Sequence, residues 1–289
     1  MEVRAKKALG QHFLTDQGVA RSIVAALSAD SPVRDVLEIG PGMGVLTQYL
    51  IGRKDIDARM IEIDSESVSY LLTHFPGMEG RLMEGDYLRL DMSRVFPGPY
   101  RVIGNFPYNI SSQIFFKILE DKDRVPEVVC MIQKEVADRI AEKPGSKVYG
   151  ILSVLLQAWY DIEYVLSVGP GAFVPPPKVH SAVIRLRRNA RTSLGCDEKL
   201  FKQVVKTAFN QRRKTLRNAL KPLLGGAAGE ARAAARVTAG AAAGAAAVKA
   251  AGVTAGAAAP DLSDPIFDLR AERLGVEDFI RLTRMLEIH

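Results

Sequence analysis

Three glycines at alternate positions, Gly40, Gly42 and Gly44, separate the apolar run at 36–39 from an amphipathic stretch that begins near Thr47. A chain can turn that sharply out of an apolar strand only where positive φ angles and close backbone approach are tolerated. The run VLEIGPGMGVLT therefore predicts strand, turn and helix. In open parallel sheets the carboxyl end of such a strand is where ligands bind. The rest of the first half keeps the same rhythm: short apolar runs at 58–63, 81–84, 101–104 and 127–132 alternate with helix-like stretches. These include 134–141 and a longer apolar helix around 149–160. Such alternation predicts a parallel sheet with crossover helices. Two further runs, 162–168 and 181–187, have only GPGAFVPPPKVH between them, too little for a crossover helix, so an antiparallel pair is expected at one sheet edge.

After Asn189 the pattern turns helical. Leu200, Val204, Val205 and Ala208 share one face, and Val276, Phe279, Ile280, Thr283 and Leu286 put a closing helix against the same small core. Two domains follow, 1–189 and 190–289, the second interrupted at 225–260, where 26 of 36 residues are Ala or Gly. No core can form from that composition, and a mobile insertion without a function of its own is expected. No apolar run reaches the ~20 residues that span a bilayer, and the first residues lack the apolar middle of a secretory leader, so no membrane association and a cytoplasmic location are expected. Of the two cysteines, Cys130 sits in an apolar run and Cys196 in a polar one, which excludes a disulfide framework or a paired-cysteine metal site. Nor do the four histidines show metal-ligand spacing.

Charge is distributed unevenly. Residues 35–100 carry eleven acidic and six basic side chains, whereas 185–221 carry twelve basic and two acidic. The first half suits a cationic small molecule and the second a polyanion, for which clustered positive charge supplies sequence-independent affinity. On charge alone, a solubilising basic face is an equal reading.

Glu62 lies at the end of the strand after the glycine turn, where a carboxylate can accept both hydroxyls of a ribose. Asp64 competes for that role but is better placed to cap the following helix. Asp86, after the third strand, can accept from an adenine amine or close its own turn. A dinucleotide typically requires G-x-G-x-x-G before a helix N-terminus. The order G-P-G-M-G instead favours S-adenosylmethionine, whose positive sulfur matches the acidic half.

After the fourth strand comes GNFPYNIS. The exocyclic amine of adenine is a poor nucleophile because its lone pair is delocalised into the ring. An enzyme must accept its hydrogens and let the nitrogen pyramidalise. The side-chain oxygen of Asn105 can do so, together with the carbonyl of Phe106 or Pro107, and Tyr108 offers a face to a base removed from its stack. Positioning and charge placement then carry most of the rate. The bland alternative is an asparagine capping a strand-to-helix turn with a tyrosine buried behind it.

With LGQHFL, EIGPGMGVLT, GNFPYNIS, MIQKEVADR, VPPPKVHSAV and FNQRRKTLRNAL in that order, the chain resembles the ribosomal RNA adenine dimethyltransferases over nearly all its length except the Ala/Gly insertion. The resemblance implies an α/β fold: a Rossmann-like class I methyltransferase sheet, mostly parallel with an antiparallel edge strand, plus a small all-helical C-terminal domain. It implies dimethylation of two adjacent adenosines in a hairpin near the 3′ end of 16S ribosomal RNA in an assembling small subunit, using S-adenosylmethionine; a monomer is the default expectation. It further implies a cofactor site made of His12, Leu14, Gly40, Glu62, Asp86 and Asn105, with catalysis by Asn105, Pro107 and Tyr108. Arg212, Arg213, Lys214 and Arg217 are the implied RNA contacts, and Lys6 and Lys7 could close over the substrate. Family members commonly have Asn where this chain has His12, and an imidazole can still donate one hydrogen bond. Rival readings are a methyltransferase of large-subunit RNA, a non-catalytic assembly factor and a nucleotide-dependent dehydrogenase.

Overall fold

A computed structural model describes residues 6, 9–224 and 262–287. The Ala/Gly segment and Lys7 lie outside the described residues. The chain forms two compact units, one of Met1–Ala141 with Trp159–Arg191, the other of Glu142–Ala158 with Thr192–His289.

In the first unit, β2 (Asp35–Ile39), β3 (Asp57–Glu62), β4 (Leu82–Glu84), β5 (Arg101–Asn105), β6 (Glu127–Gln133), β7 (Tyr160–Val168) and β9 (Ser181–Arg188) form one sheet in the order β4-β3-β2-β5-β6-β9-β7. The central strands β5 and β6 are buried along almost their whole length, which is why they read as unbroken apolar runs. The antiparallel member is β9, which pairs with β6 and with β7. It therefore lies one place in from the edge, and β7, the edge strand, runs in the same direction as the parallel set. Strand order reverses between β2 and β5, so the crevice of an open α/β sheet falls at their carboxyl ends, beside Gly40 and Asn105.

Helix α1 (Gln17–Ala25) is started by Asp16, whose carboxylate accepts from the Gly18 and Val19 amides at 2.8 and 3.0 Å. It buries Ala20, Ile23 and Val24 in the core beneath the sheet. Just ahead of it, β1 (Phe13–Leu14) pairs antiparallel with β8 (Phe173–Val174), a contact that no period in the sequence announces. This two-residue ladder ties the N-terminal arm to the connector between β7 and β9. The remaining crossover helices are α2 (Thr47–Leu50), α3 (Ser65–His74), α4 (Ser111–Glu120) and α5 (Lys134–Ala141).

The second unit is helical: α6 (Ile151–Gln157), α7 (Glu198–Asn210), α8 (Leu216–Ala219), α9 (Lys221–Leu224) and α10 (Val276–Glu287). Here two expectations are corrected. The stretch at 149–160 is a helix of seven residues, shorter than α5, and residues 142–158 belong to this unit, so no single boundary at 189 divides the chain. The cause is that α6 is apolar on nearly every side: Leu152, Val154, Leu155 and Leu156 are all buried, and the helix packs against α7 and α10. On α10 the buried positions are Phe279, Ile280, Leu282 and Thr283, while Val276 and Leu286 stay half-buried. The inward face is thus rotated toward Leu282 from the expected stripe.

Candidate active site

The carboxyl ends of β2, β3 and β5, the loop after β4 and the N-terminal arm enclose a cavity of about 220 Å³. Gly40, Glu62 and Asp86 line it from the strand ends, Asn105, Pro107 and Tyr108 from the loop after β5, and His12 and Leu14 from the arm.

Gly40 has φ +67° and donates its amide to the Ile61 carbonyl at 2.9 Å. A Cβ built there would meet nothing within 4 Å, so the loop leaves open space where a side chain would stand. Glu62 is 4 % exposed. Its carboxylate accepts from the Gly42 amide at 3.0 Å and from the Ile63 and Asp64 amides at 2.9 and 3.0 Å. Burial raises its pKa, and the three backbone donors oppose that rise.

Asp64 stands at the N-cap of α3, yet its side chain caps no backbone amide there. Its carboxylate instead takes the Lys6 ammonium at 2.5 Å, the Ser67 hydroxyl at 3.0 Å and the Gln11 amide at 3.5 Å. Burial pushes its pKa up, but the bonds from Lys6, Ser67 and Gln11 outweigh burial and hold it below the ordinary carboxylate value. Lys6 also pairs with Glu66 at 3.1 Å, so it fastens the arm rather than reaching outward. Asp86 closes its own turn, its Oδ1 accepting from the Leu88 amide at 2.9 Å while its Oδ2 lies 3.4 Å from Arg89, and it also lines the cavity.

Asn105 donates Nδ2 to the His12 carbonyl at 3.2 Å, while its Oδ1 is buried without a hydrogen-bond partner. An orphaned buried acceptor is costly, and at the edge of a cavity it marks where a donor belongs. Pro107 closes the loop by accepting from the Ile110 amide at 3.2 Å. The Tyr108 hydroxyl lies 2.5 Å from Ser181 Oγ, and burial raises its pKa, so it stays a phenol. The His12 ring stacks on Tyr108, with centroids 5.4 Å apart, and its Nδ1 donates to the Pro175 carbonyl at 2.8 Å.

A buried carboxyl at the cavity escaped the sequence reading. Glu38, in the middle of the VLEI strand run, is 1 % exposed and accepts from the Thr47 hydroxyl at 2.7 Å. Burial pushes its pKa up to about 8. A carboxylate between Leu37 and Ile39 in a fully buried strand was the available signal.

The basic cluster lies in the helical unit, in the turn after α7 and in α8, and its members differ. Arg212 donates to the Ser146 carbonyl at 3.0 Å and lies 3.7 Å from Glu272. Arg217 grips Asp268 at 2.8 Å and the Leu262 carbonyl at 2.8 Å. Arg213 and Lys214 are exposed. Among the described residues no group of three or more His, Cys, Asp or Glu is placed to hold a metal ion, and no helix is long and apolar enough to cross a membrane.

The family model for ribosomal RNA adenine dimethylases matches residues 2–250. A protein of Parabacteroides distasonis named ribosomal RNA small subunit methyltransferase A is 52% identical over 99% of this chain and 96% of its own length. Its namesake in Bacteroides thetaiotaomicron is 51% identical over 99% and 95%. In fold, the chain is similar to a dimethyladenosine transferase of Plasmodium falciparum, with TM-score 0.69 and 23% identity over 94% of this chain and 96% of that one. It is also similar to the 23S rRNA methyltransferase ErmE, with TM-score 0.60 and 24% identity over 95% and 99%. With a family model spanning most of its length and relatives identical at half of their positions from end to end, the chain belongs to the ribosomal RNA adenine dimethylases.

Proposed function

We propose that the chain transfers methyl groups from S-adenosylmethionine to the 6-amino groups of two adjacent adenosines, in a hairpin near the 3′ end of 16S ribosomal RNA within an assembling small subunit. The observation that carries this reading is the buried, unpartnered Oδ1 of Asn105 at the cavity wall.

The cavity fits the cofactor on two counts: the open space at Gly40, which a Cβ would fill, and the carboxylates of Glu62 and Asp86 at the ends of adjacent strands. Glu62 would hold the ribose hydroxyls, Asp86 the adenine amine, and His12, Leu14, Gly40 and Asn105 the remainder. When bound, the cofactor supplies an electrophilic methyl on a positively charged sulfur. Asn105 Oδ1 accepts one hydrogen of the target amine, and the carbonyl of Phe106 or Pro107 accepts the other, so the nitrogen lone pair is freed from the ring. The methyl would pass to that nitrogen with the carbon–sulfur electron pair left on sulfur, and the alkylated nitrogen would give its proton to solvent. Before the second transfer only one N–H remains, and Asn105 Oδ1 alone must take it. Tyr108 holds the extruded base by its face.

For the RNA backbone, Arg213 and Lys214 are the proposed phosphate contacts, on a turn that Arg212 and Arg217 brace through their carbonyl and carboxylate partners. We take the protein to act as a monomer. A ribosomal substrate places the work in the cytoplasm.

Methyl transfer from labelled cofactor to small-subunit particles lacking their native modifications, followed by nucleoside analysis, tests the reading. Wild-type protein is expected to yield dimethyladenosine in 16S RNA. Asn105→Ala is expected to lose at least about a hundredfold in rate, the scale seen when a single transition-state hydrogen bond is removed, with the melting temperature unchanged. Wild-type turnover by that variant would refute the mechanism, and label appearing only in large-subunit RNA would refute the substrate.

A further inference from the structure

The connector between β7 and β9 contains the motif VPPPKVHSAV, to which the reaction above gives no task. It touches both sides of the proposed acceptor site. At its start, the Ala172 carbonyl accepts from the Thr15 amide at 2.8 Å, and Phe173 and Val174 pair with Leu14 and Phe13. Next, the Pro175 carbonyl takes the Nδ1 proton of His12 at 2.8 Å. At its end, Ser181 is fully buried, and its hydroxyl meets the Tyr108 hydroxyl at 2.5 Å.

His12, held in this way, turns two groups toward the site. Its ring lies on one face of Tyr108 at a 28° interplanar angle, and its carbonyl receives the Nδ2 of Asn105. That second contact fixes which way round the Asn105 amide stands, with its Nδ2 committed to the arm. With the amide reversed, an N–H would stand where an acceptor is required, and the target amine would meet a donor. The 5.4 Å centroid separation between the rings is a single stacking distance, within the roughly 4.5–7 Å range of direct aromatic contact, so His12 already occupies that face of Tyr108. A base stacked on Tyr108 would have to use the opposite face. A buried serine hydroxyl costs free energy unless it is partnered, and here the partner is the rim of the same tyrosine.

We propose that Ser181 and His12 are positioning residues for methyl transfer: Ser181 fixes Tyr108 at its rim, and His12 fixes Tyr108 at its face and the Asn105 amide by its carbonyl. The proposal rests on the reading of Asn105 and Tyr108 as the acceptor site. The second methylation depends on it most, because the monomethylated amine offers one N–H and must be presented in one rotation.

The test uses the full-length protein and undermethylated small-subunit particles. It measures kcat, KM for particles, cofactor affinity and the ratio of mono- to dimethyladenosine. Ser181→Ala and Tyr108→Phe delete the same hydrogen bond from opposite sides. Each is expected to lower kcat about tenfold, the worth of one buried hydrogen bond, and to raise the share of monomethyladenosine while cofactor affinity holds. The double variant is expected to be no worse than the poorer single, because the two residues act through one contact. His12→Ala, which strips the ring from Tyr108, is expected to lower kcat and raise the share of monomethyladenosine as Ser181→Ala does, and to weaken cofactor binding as well, because His12 also lines the cavity. The proposal is overturned if Ser181→Ala and Tyr108→Phe keep wild-type kcat and product ratio, or if their effects multiply. It is also overturned if the losses merely track falling melting temperature and cofactor affinity. A wild-type protein that makes no dimethyladenosine would instead defeat the underlying reading, and the two failures are distinguished in the same assay.

Discussion

Glu38 sits beneath the glycine turn with its carboxyl shut away from water and a single hydroxyl, that of Thr47, for company. Burial raises its pKa from an ordinary 4.5 to about 8, with the nearby Glu62 carboxylate adding to the rise and Thr47 opposing it. Because the folded value exceeds the unfolded one, the fold favours the protonated form. The stability this contributes is fully present below about pH 4.5 and is lost as pH rises through about 8. Glu38→Gln keeps a group that can bond to Thr47 but cannot ionise. Melting temperatures measured from pH 5 to 9 are expected to fall more steeply for wild type than for the variant. Parallel curves would show that Glu38 ionises as freely in the folded chain as in the unfolded one. The contrast with Asn105 shows what was legible at this scale. Asn105 was readable because its neighbours Pro107 and Tyr108 form a short motif with one chemical use. Glu38 lay in a run whose apolar members set the reading. The stack of His12 on Tyr108 and the hold of Ser181 join residues far apart in sequence, and only the folded chain brings them together.

At the level of elements, the glycine turn makes two demands that look alike in sequence. Gly40 and Gly44 both have positive φ, +67° and +79°, which costs roughly 1–2 kcal/mol for any other L-residue. A Cβ at Gly44 would also lie 2.6 Å from the Phe75 ring and 2.9 Å from Leu71, whereas one at Gly40 would enter open cavity. Gly44→Ala is therefore expected to lose about 2–4 kcal/mol of stability in denaturant unfolding, since strain and overpacking add. Gly40→Ala is expected to lose only the backbone cost, about 1–2 kcal/mol, but to weaken cofactor binding at least about tenfold in calorimetry. Equal stability losses in the two variants would mean that the neighbours of Gly44 yield freely. The parallel strands were legible because strands buried on both faces leave unbroken apolar runs. The destination of α6 was not: a helix apolar all round announces that it is buried without saying in which core. The pairing of β1 with β8 is two residues long, too short for any period to register. The antiparallel pair at the sheet edge was legible from the short connector, but not its order: β9 returns between β6 and β7 and leaves the edge to β7.

Across the whole molecule, charge divides the labour. The acidic 35–100 segment lies in the sheet unit with the cavity, and most of the basic 185–221 segment lies in the helical unit, an asymmetry that the sequence displays directly. Which of those cations meet RNA is a different matter, because carbonyls and carboxylates from distant parts of the chain claim some of them. Arg212 is engaged by Ser146 and Glu272, and Arg217 by Asp268 and Leu262, whereas Arg213 and Lys214 are exposed. Each phosphate contact releases counterions and adds about 0.7–0.9 to the slope of log affinity against log salt. Binding of small-subunit RNA by the double variant Arg213→Ala/Lys214→Ala, measured over a range of KCl concentrations, is expected to be weaker at low salt, with a slope shallower by about 1.4–1.8 and unchanged cofactor affinity. Arg212→Ala and Arg217→Ala are expected to lower the melting temperature by removing internal bonds while leaving that slope largely intact. If the slope instead follows Arg212 and Arg217, those residues exchange their internal partners for phosphate when RNA binds, and the helical unit must rearrange around 262–272 to release them.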